Sequence, residues 1–178
     1  MAGSLFGVHG HRGLQAVLPA RSGLERLRAM GSAFQLTAWT AGLITHSGAE
    51  TESAAEAFAT LLPTDTVLTL AGDLGTGKTT FVRGLVRGLG VQGDITSPSF
   101  ALLNVHAGQR QIFHVDAYRL KTGASLDDLM IWDTAQSPWN VIVEWPDRVA
   151  TRLPRDCWQM KTSILADGGH RYELTLPV

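Results

Sequence analysis

One eight-residue stretch in the middle of the chain has the spacing of a phosphate-binding loop. Two glycines with four residues between them are followed at once by Lys78 and Thr79. Glycine permits positive φ and lets backbone N–H groups approach an anion closely, and a helix that follows adds its positive end. Lysine at this position reaches the β- and γ-phosphates of a nucleotide, and the threonine hydroxyl ligates Mg²⁺. The residues predicted to contact a nucleotide here are Gly72, Asp73, Leu74, Gly75, Thr76, Gly77, Lys78, Thr79 and Thr80.

Such a loop needs an acidic side chain to help hold Mg²⁺, and that acid commonly ends an apolar strand. Two acids meet this description, because Asp116 follows the run 112–115 and Glu144 follows the run 141–143. Either carboxylate could bind the metal through water or act as the base that orients an attacking water, so we expect Asp116, Glu144 and Lys78 to be catalytic. His114 shares the side of an extended strand with Asp116, and it either packs, orients the acid or takes part in catalysis.

The elements that position these residues follow from the pattern of apolar residues and turn signals. Ser47 with Glu50 forms a capping box, and the strand before the loop and the helix after it are what the motif requires. The predicted strands are 43–46, 66–71, 100–106, 111–117, 140–145, 158–166 and 170–176, and the predicted helices are 47–62, 80–89 and 125–135. This alternation predicts an α/β, three-layer fold of the nucleotide-binding type, and its hairpins make the central sheet mixed.

Composition excludes several classes of protein. The 178 residues are 44% hydrophobic and carry a net charge of −1, which argues against unaided binding to nucleic acid. Cys157 is the single cysteine, so we expect neither a disulfide framework nor a cysteine metal cluster. No apolar run approaches the roughly 18 residues that span a membrane. We therefore expect a cytoplasmic protein that does not interact with a membrane.

The N-terminal part of the chain has a different charge balance from the rest. Residues 1–34 carry four arginines and one acid, a net of +3, whereas the other 144 residues carry 11 basic and 15 acidic side chains, a net of −4. This leader could be an organelle transit peptide, or it could result from an upstream start codon with Met30 as the true start. We expect residues 1–40 to be an extension that is disordered or not native, and residues 41–178 to form the domain that carries the phosphate-binding loop.

Four motifs occur in a fixed order along the chain. They are 72–80 (GDLGTGKTT), 97–100 (SPSF), 114–120 (HVDAYRL) and 143–145 (VEW). This set resembles the TsaE family, formerly YjeE, the ATPase component of the bacterial machinery that makes threonylcarbamoyladenosine in tRNA. The resemblance covers roughly residues 43–176. It implies ATP and Mg²⁺ as cofactors, the TsaD and TsaB proteins as partners, and contact with tRNA only indirectly through that complex.

The resemblance also implies roles for single residues. Thr79 and Glu144 match the magnesium ligands of the family, and Asp116 matches its catalytic acid. Trp145 matches an aromatic residue near the nucleotide, although a tryptophan at a strand end can also serve packing alone. The other matching positions are Ser99, a switch-like hydroxyl that is usually threonine, Glu50 and Thr51, where the N-terminal segment approaches the nucleotide, and Arg171, a late arginine.

Two other functions remain open from the residues. A free-standing small-molecule or nucleotide kinase generally needs a lid with several arginines, and the basic residues after Lys78 are scattered. A GTP-dependent switch is expected to carry an Asn-Lys-x-Asp motif for the base, which this chain lacks. No arginine finger is evident, although Arg119 and Arg171 are candidates. A slow ATPase that a partner stimulates is the preferred interpretation.

Overall fold

A seven-stranded mixed sheet forms the centre of residues 31–93, 102–120 and 126–177, which the computed structural model describes. The strands are β1 (Leu43–Thr45), β2 (Thr66–Ala71), β3 (Leu103–Ala107), β4 (Gln111–Asp116), β5 (Trp139–Glu144), β6 (Trp158–Ile164) and β7 (His170–Thr175). Their order across the sheet is β1-β7-β6-β2-β5-β4-β3. The four central strands are parallel, and β1, β3 and β7 pair antiparallel with their neighbours. The predicted mixed α/β sheet and both predicted hairpins are confirmed.

Helices cover one face of the sheet, and short turns of helix cover part of the other. The helices on the first face are α1 (Ser32–Ala41), α2 (Gly48–Phe58) and α3 (Lys78–Gly88). They pack on alternate strand residues such as Leu68, Leu70 and Ile142. On the second face, Val67, Val141 and neighbouring residues pack under four 3₁₀ helices and α4. Those elements are Ala117–Arg119, Leu126–Leu129, Pro146–Arg148, Ala150–Arg152 and α4 (Ile131–Thr134).

Helices α2 and α3 lie unusually close together because two residues of α3 have no side chain. A Cβ on Gly84 would collide with the backbone of Glu52, and one on Gly88 would collide with the backbone of Glu56. These glycines therefore permit a contact that offsets the conformational freedom they lose in a helix. The contact fixes α3, and with it the loop at its N-terminus, against the rest of the domain.

The packed part of the chain begins earlier than the sequence indicated. We expected an extension up to residue 40, yet Ser32–Ala41 forms α1, and Trp39 in it is fully buried. The Trp39 ring packs edge-on against Phe58 at 4.9 Å and against Phe81 at 5.7 Å between centroids. The expected boundary is therefore wrong for residues 32–40, because a single large aromatic residue anchors a helix whose periodicity is weak. Residues 1–30 lie outside the described part.

The helix predicted over 125–135 is broken in the structure. Its described part forms the 3₁₀ helix Leu126–Leu129 and then α4, with Met130 between them at φ 50°. A residue in the left-handed region ends the helical hydrogen-bond pattern. The apolar residues that were predicted to form one helix therefore lie on two short helices with a turn between them. Among the described helices, none is long and apolar enough to cross a membrane.

Candidate functional site

The phosphate-binding loop connects β2 to α3 in the conformation that its glycines allow. Gly77 caps α3 in the left-handed region at φ 93°, and the helix begins at Lys78. A Cβ at Gly77 would meet the Tyr172 hydroxyl, so no larger residue fits without displacing the Tyr172 side chain. The hydroxyl of Thr76 donates to the Asp73 carbonyl at 2.8 Å and closes the turn. The loop thus presents its backbone at the positive end of a three-turn helix, as anion binding requires.

Strand β7 holds the loop from behind through backbone carbonyls. His170 Nδ1 lies 3.0 Å from the Thr76 carbonyl, and because a carbonyl can only accept, Nδ1 is the donor. The Tyr172 hydroxyl lies 3.5 Å from the same oxygen and 3.4 Å from the Gly77 carbonyl. The N–H and C=O of a trans peptide point in opposite directions. Holding these carbonyls towards β7 therefore turns the N–H groups of Gly77 and Lys78 away from it, towards the cavity.

Lys78 lies across the loop with its side chain 5% exposed. Its ammonium donates to the carbonyls of Gly72 and Asp73, both at 2.7 Å, and lies 3.8 Å from the centre of the Trp145 ring. Burial lowers the pKa of Lys78, while the carboxylates of Glu144, Asp73 and Asp116 raise it. The ammonium is held in place before any ligand arrives, so little side-chain entropy remains to be lost when an anion binds.

Glu144 is the centre of a buried polar cluster at the end of β5. The Thr79 hydroxyl donates to both of its carboxylate oxygens, at 3.0 and 3.3 Å. On the other side, His114 Nε2 lies 2.8 Å from Glu144 Oε1. The Glu144 side chain is only 4% exposed, so these contacts replace most of the hydration of the carboxylate. The predicted pairing of a loop hydroxyl with a strand-end acid is therefore present in the structure.

Asp116 lies beside Glu144, because the two residues are register partners on the parallel strands β4 and β5. It is partly exposed, and Oδ1 accepts from the backbone N–H of Tyr118 at 3.2 Å. That contact caps the 3₁₀ helix Ala117–Arg119. The two acids differ in environment, since Glu144 is buried with two side-chain partners and Asp116 is partly exposed.

A cavity of about 400 Å³ joins these parts. Its lining residues are Leu74, Gly75, Gly77, Lys78, Thr79, Thr80, Asp116, Tyr118, Arg119, Glu144 and Trp145. A larger cavity of about 710 Å³ lies beyond Trp145, under residues 146–157, and includes Gly72 and Asp73. Neither Thr79 nor Glu144 lines that larger cavity. The smaller cavity is therefore the candidate site for the phosphates.

Six of the predicted residues in the described part do not line the candidate site. They are Gly72, Asp73 and Thr76 of the loop, together with Glu50, Thr51 and Arg171. The last three make other contacts. The Thr51 side chain is buried and bonds Thr45 Oγ1 at 2.7 Å and the Ser47 carbonyl at 3.1 Å. Glu50 caps α2, because its carboxylate accepts from the His46 N–H at 2.8 Å. Arg171 donates to the Ala41 carbonyl at 3.2 Å and pairs with Glu173. Contact of these residues with a nucleotide stays a prediction.

Ser99 lies outside the described residues, so its role also stays a prediction. Conversely, sequence reasoning missed His170 and Tyr172, which hold the loop from behind. It also missed Thr162, whose hydroxyl lies 2.7 Å from that of Thr76. The hairpin that carries them was predicted, but nothing in its sequence shows which face lies under the loop.

The oxygen atoms of the candidate site suit Mg²⁺. The described residues contain no group of three or more His, Cys, Asp or Glu side chains that could hold a metal ion. Mg²⁺ does not need such a cage, because it keeps several waters and binds one or two protein oxygens together with substrate phosphates. Thr79 and Glu144 provide these oxygens in the lining of the smaller cavity, and Asp116 lies next to them.

Comparison with known proteins gives a consistent result. A family model described as "Threonylcarbamoyl adenosine biosynthesis protein TsaE" matches residues 45–171. Proteins named tRNA threonylcarbamoyladenosine biosynthesis protein TsaE are similar to the chain. The one from Treponema pallidum is 40% identical over 108 residues, which are 61% of this chain and 80% of that protein. The one from Bacillus subtilis is 31% identical over 135 residues, which are 70% of this chain and 84% of that protein.

A solved structure agrees with these relatives. The crystal structure of Bacillus subtilis YdiB superposes with a TM-score of 0.62 at 30% sequence identity, covering 77% of this chain and 85% of that chain. The predicted fold class is thereby confirmed. Since the family model spans most of the chain, and both the phosphate loop and the two strand-end acids lie within the matched residues, the chain belongs to the TsaE family of threonylcarbamoyl adenosine biosynthesis proteins.

Proposed function

We propose that this protein binds ATP with Mg²⁺ and hydrolyses it as the ATPase subunit of threonylcarbamoyladenosine modification of tRNA, acting on a complex of TsaD and TsaB. The observation that carries the proposal is the hydrogen bond from the Thr79 hydroxyl to Glu144 at the mouth of the phosphate-binding loop. A loop hydroxyl and a strand-end acid in contact are the pair that holds Mg²⁺ beside a nucleotide in proteins of this kind.

Each part of the site has a separate task in this proposal. The backbone N–H groups of the loop and the Lys78 ammonium neutralise charge on the β- and γ-phosphates. When bound, Mg²⁺ would supply Lewis-acid stabilisation of the charge that develops on the phosphates. Thr79 and Glu144 would hold the ion, and Asp116, which borders the cavity, would orient the attacking water. The indole of Trp145 closes one side of the Lys78 ammonium.

The proposal includes a partner because the site has few groups that can stabilise the transition state. Among the described residues that line the cavity, Arg119 is the one arginine, and it is exposed. A group supplied by another protein typically raises such rates by about 10³–10⁵. We therefore expect slow hydrolysis by the isolated protein and faster hydrolysis with TsaD and TsaB. Its net charge of −1 favours contact with tRNA through that complex in the cytoplasm, rather than direct binding.

The first test is calorimetric binding of ATP and GTP, each with and without Mg²⁺. Lys78→Ala should remove most of the ATP affinity, because it removes the ammonium from the loop. Lys161→Ala is a matched control, since Lys161 lines only the larger cavity. If Lys161→Ala abolishes ATP binding and Lys78→Ala does not, the assigned cavity is wrong.

The second test is steady-state phosphate release with and without a TsaD–TsaB pair, together with the yield of modified nucleoside in tRNA. The proposal expects a low basal rate that the pair raises, and repeated cycles of modification. A fast rate that the pair does not change, with transfer of phosphate to a small acceptor, would instead indicate a free-standing kinase.

A further inference from the structure

His114 occupies a position that packing alone does not explain. It lies on β4 with its side chain 1% exposed, directly beside Ile142 of β5 in the sheet register. Its Nε2 atom lies 2.8 Å from Glu144 Oε1. The imidazole thus lies against the acid that contacts Thr79.

The polar contacts of the imidazole involve one ring nitrogen only. Nδ1 is buried and has no hydrogen-bond partner in the described part of the chain. A buried polar atom without a partner costs free energy that an apolar side chain of similar size would avoid. Among the described residues, the contact with Glu144 is the one hydrogen bond that this ring makes. An ionised carboxylate can only accept a hydrogen bond, so Nε2 carries the hydrogen atom and is the donor in this contact.

The contact constrains the carboxylate of Glu144. With Oε1 bonded to His114, the shorter of the two Thr79 contacts goes to Oε2 at 3.0 Å. The Thr79 hydroxyl has one proton for two carboxylate oxygens, and His114 provides a second donor, so the two donors together restrict the rotation of the carboxylate group. Without the imidazole, the Thr79 hydroxyl would be the one side-chain donor left to this buried carboxylate among the described residues, and the group would gain by turning towards the cavity and water.

We propose that His114 is a positioning residue that holds Glu144 in the orientation needed to bind Mg²⁺ together with Thr79. The inference rests on the proposed function. Groups that hydrogen-bond a metal ligand typically change metal affinity or activity about 10- to 100-fold when removed. His114 does not line the candidate cavity, so its loss should affect the response to Mg²⁺ and kcat rather than the affinity of the loop for phosphate.

Three substitutions separate positioning from packing. His114→Gln can place an amide N–H near the position of Nε2. His114→Asn is also polar, but its amide is one bond shorter and cannot reach Glu144. His114→Phe keeps a flat ring and removes the donor. We expect kcat to fall about 10- to 100-fold in the Asn and Phe variants, with the KM for ATP nearly unchanged, and most of kcat to return in the Gln variant.

A binding experiment gives a readout that does not depend on turnover. ADP is titrated calorimetrically into each variant at increasing Mg²⁺. The Asn and Phe variants should bind metal-free ADP like the wild type and show a weaker gain in affinity from Mg²⁺. Melting temperatures confirm folding, and if the Phe variant does not fold, the comparison of Gln with Asn decides.

Three outcomes would overturn the inference. The Phe variant could keep the wild-type kcat and Mg²⁺ response, or the Gln and Asn variants could behave alike, or metal-free ADP binding could fall as much as the Mg²⁺ response. In each of these cases the proposed function still stands, provided that the wild-type protein binds and hydrolyses ATP. A wild type that binds neither ADP nor ATP removes the proposed function, and the inference with it.

Discussion

Replacing Glu144 by glutamine tests the centre of the site with the least change in shape. The amide oxygen can still accept from His114, and the amide nitrogen takes the position that faces Thr79. The Thr79 hydroxyl can rotate from donor to acceptor, so both contacts survive in neutral form. What disappears is the negative charge that would bind the metal, and with it the first of the carboxylates that raise the pKa of Lys78.

The size of the effect follows from these contacts. A hydrogen bond to a charged group contributes about 1.5–3 kcal/mol and a neutral one about 1, so two bonds lose about 2 kcal/mol. The buried carboxylate costs several kcal/mol in desolvation and a buried amide about 1–3 kcal/mol, so the exchange returns roughly the 2 kcal/mol that the hydrogen bonds lose. We expect a net change in stability within about 1 kcal/mol, which is at most about 4 °C in melting temperature for a chain of this length. Hydrolysis should fall at least about 100-fold.

The assay is phosphate release at saturating ATP and Mg²⁺, paired with thermal melting of the free protein. Glu173→Gln is the matched control, because Glu173 is an acid of β7 that pairs with Arg171 and does not line the cavity. Two results would refute the reasoning. One is a Glu144→Gln variant that hydrolyses ATP at the wild-type rate. The other is a variant whose melting temperature falls by more than about 10 °C, because unfolding would then explain the loss of activity.

Two further predictions concern the supports of the site. Tyr172→Phe keeps the stack on Phe81, at 5.5 Å between ring centroids, and removes the hydroxyl behind the loop, so ATP affinity by calorimetry should fall about 5-fold for a loss of about 1 kcal/mol. An unchanged affinity would show that the hydroxyl does not orient the loop. Trp39→Ala should cost about 3–5 kcal/mol in chemical denaturation, because it empties the space beside Phe58. Phe34→Ala on the same helix is the control, since Phe34 is 57% exposed and should change little.

The parts of the site that the sequence predicted are those that local rules determine. The loop is contiguous, and its glycine spacing dictates its conformation. Asp116 and Glu144 were selected because each ends an apolar run, and the structure makes them register partners on the parallel strands β4 and β5. The order of strands and helices could also be predicted, because each apolar run lies within a single segment of the sequence.

The parts that were missed depend on contacts between distant segments. The bond between His114 and Glu144 needs the lateral packing of two strands, 30 residues apart in sequence. The contact of Tyr172 with the loop spans 95 residues and depends on which face of β7 turns inward. Trp39 escaped notice because one buried ring, rather than a periodic stripe, holds its helix on the domain. None of these contacts leaves a local pattern.

The environments of the two acids favour different tasks for them. Glu144 is buried and receives hydrogen bonds from Thr79 and His114, so it cannot move towards a substrate without leaving both partners unsatisfied. A ligand that must keep a fixed geometry around an ion suits such a position. Asp116 uses one oxygen to cap a short helix and is partly exposed at the cavity, where the other oxygen can meet water. A base must exchange protons with a mobile water molecule, so the exposed acid is the better candidate for that role. The sequence left these roles interchangeable, and the difference between them arises from burial and hydrogen-bond partners, not from residue type.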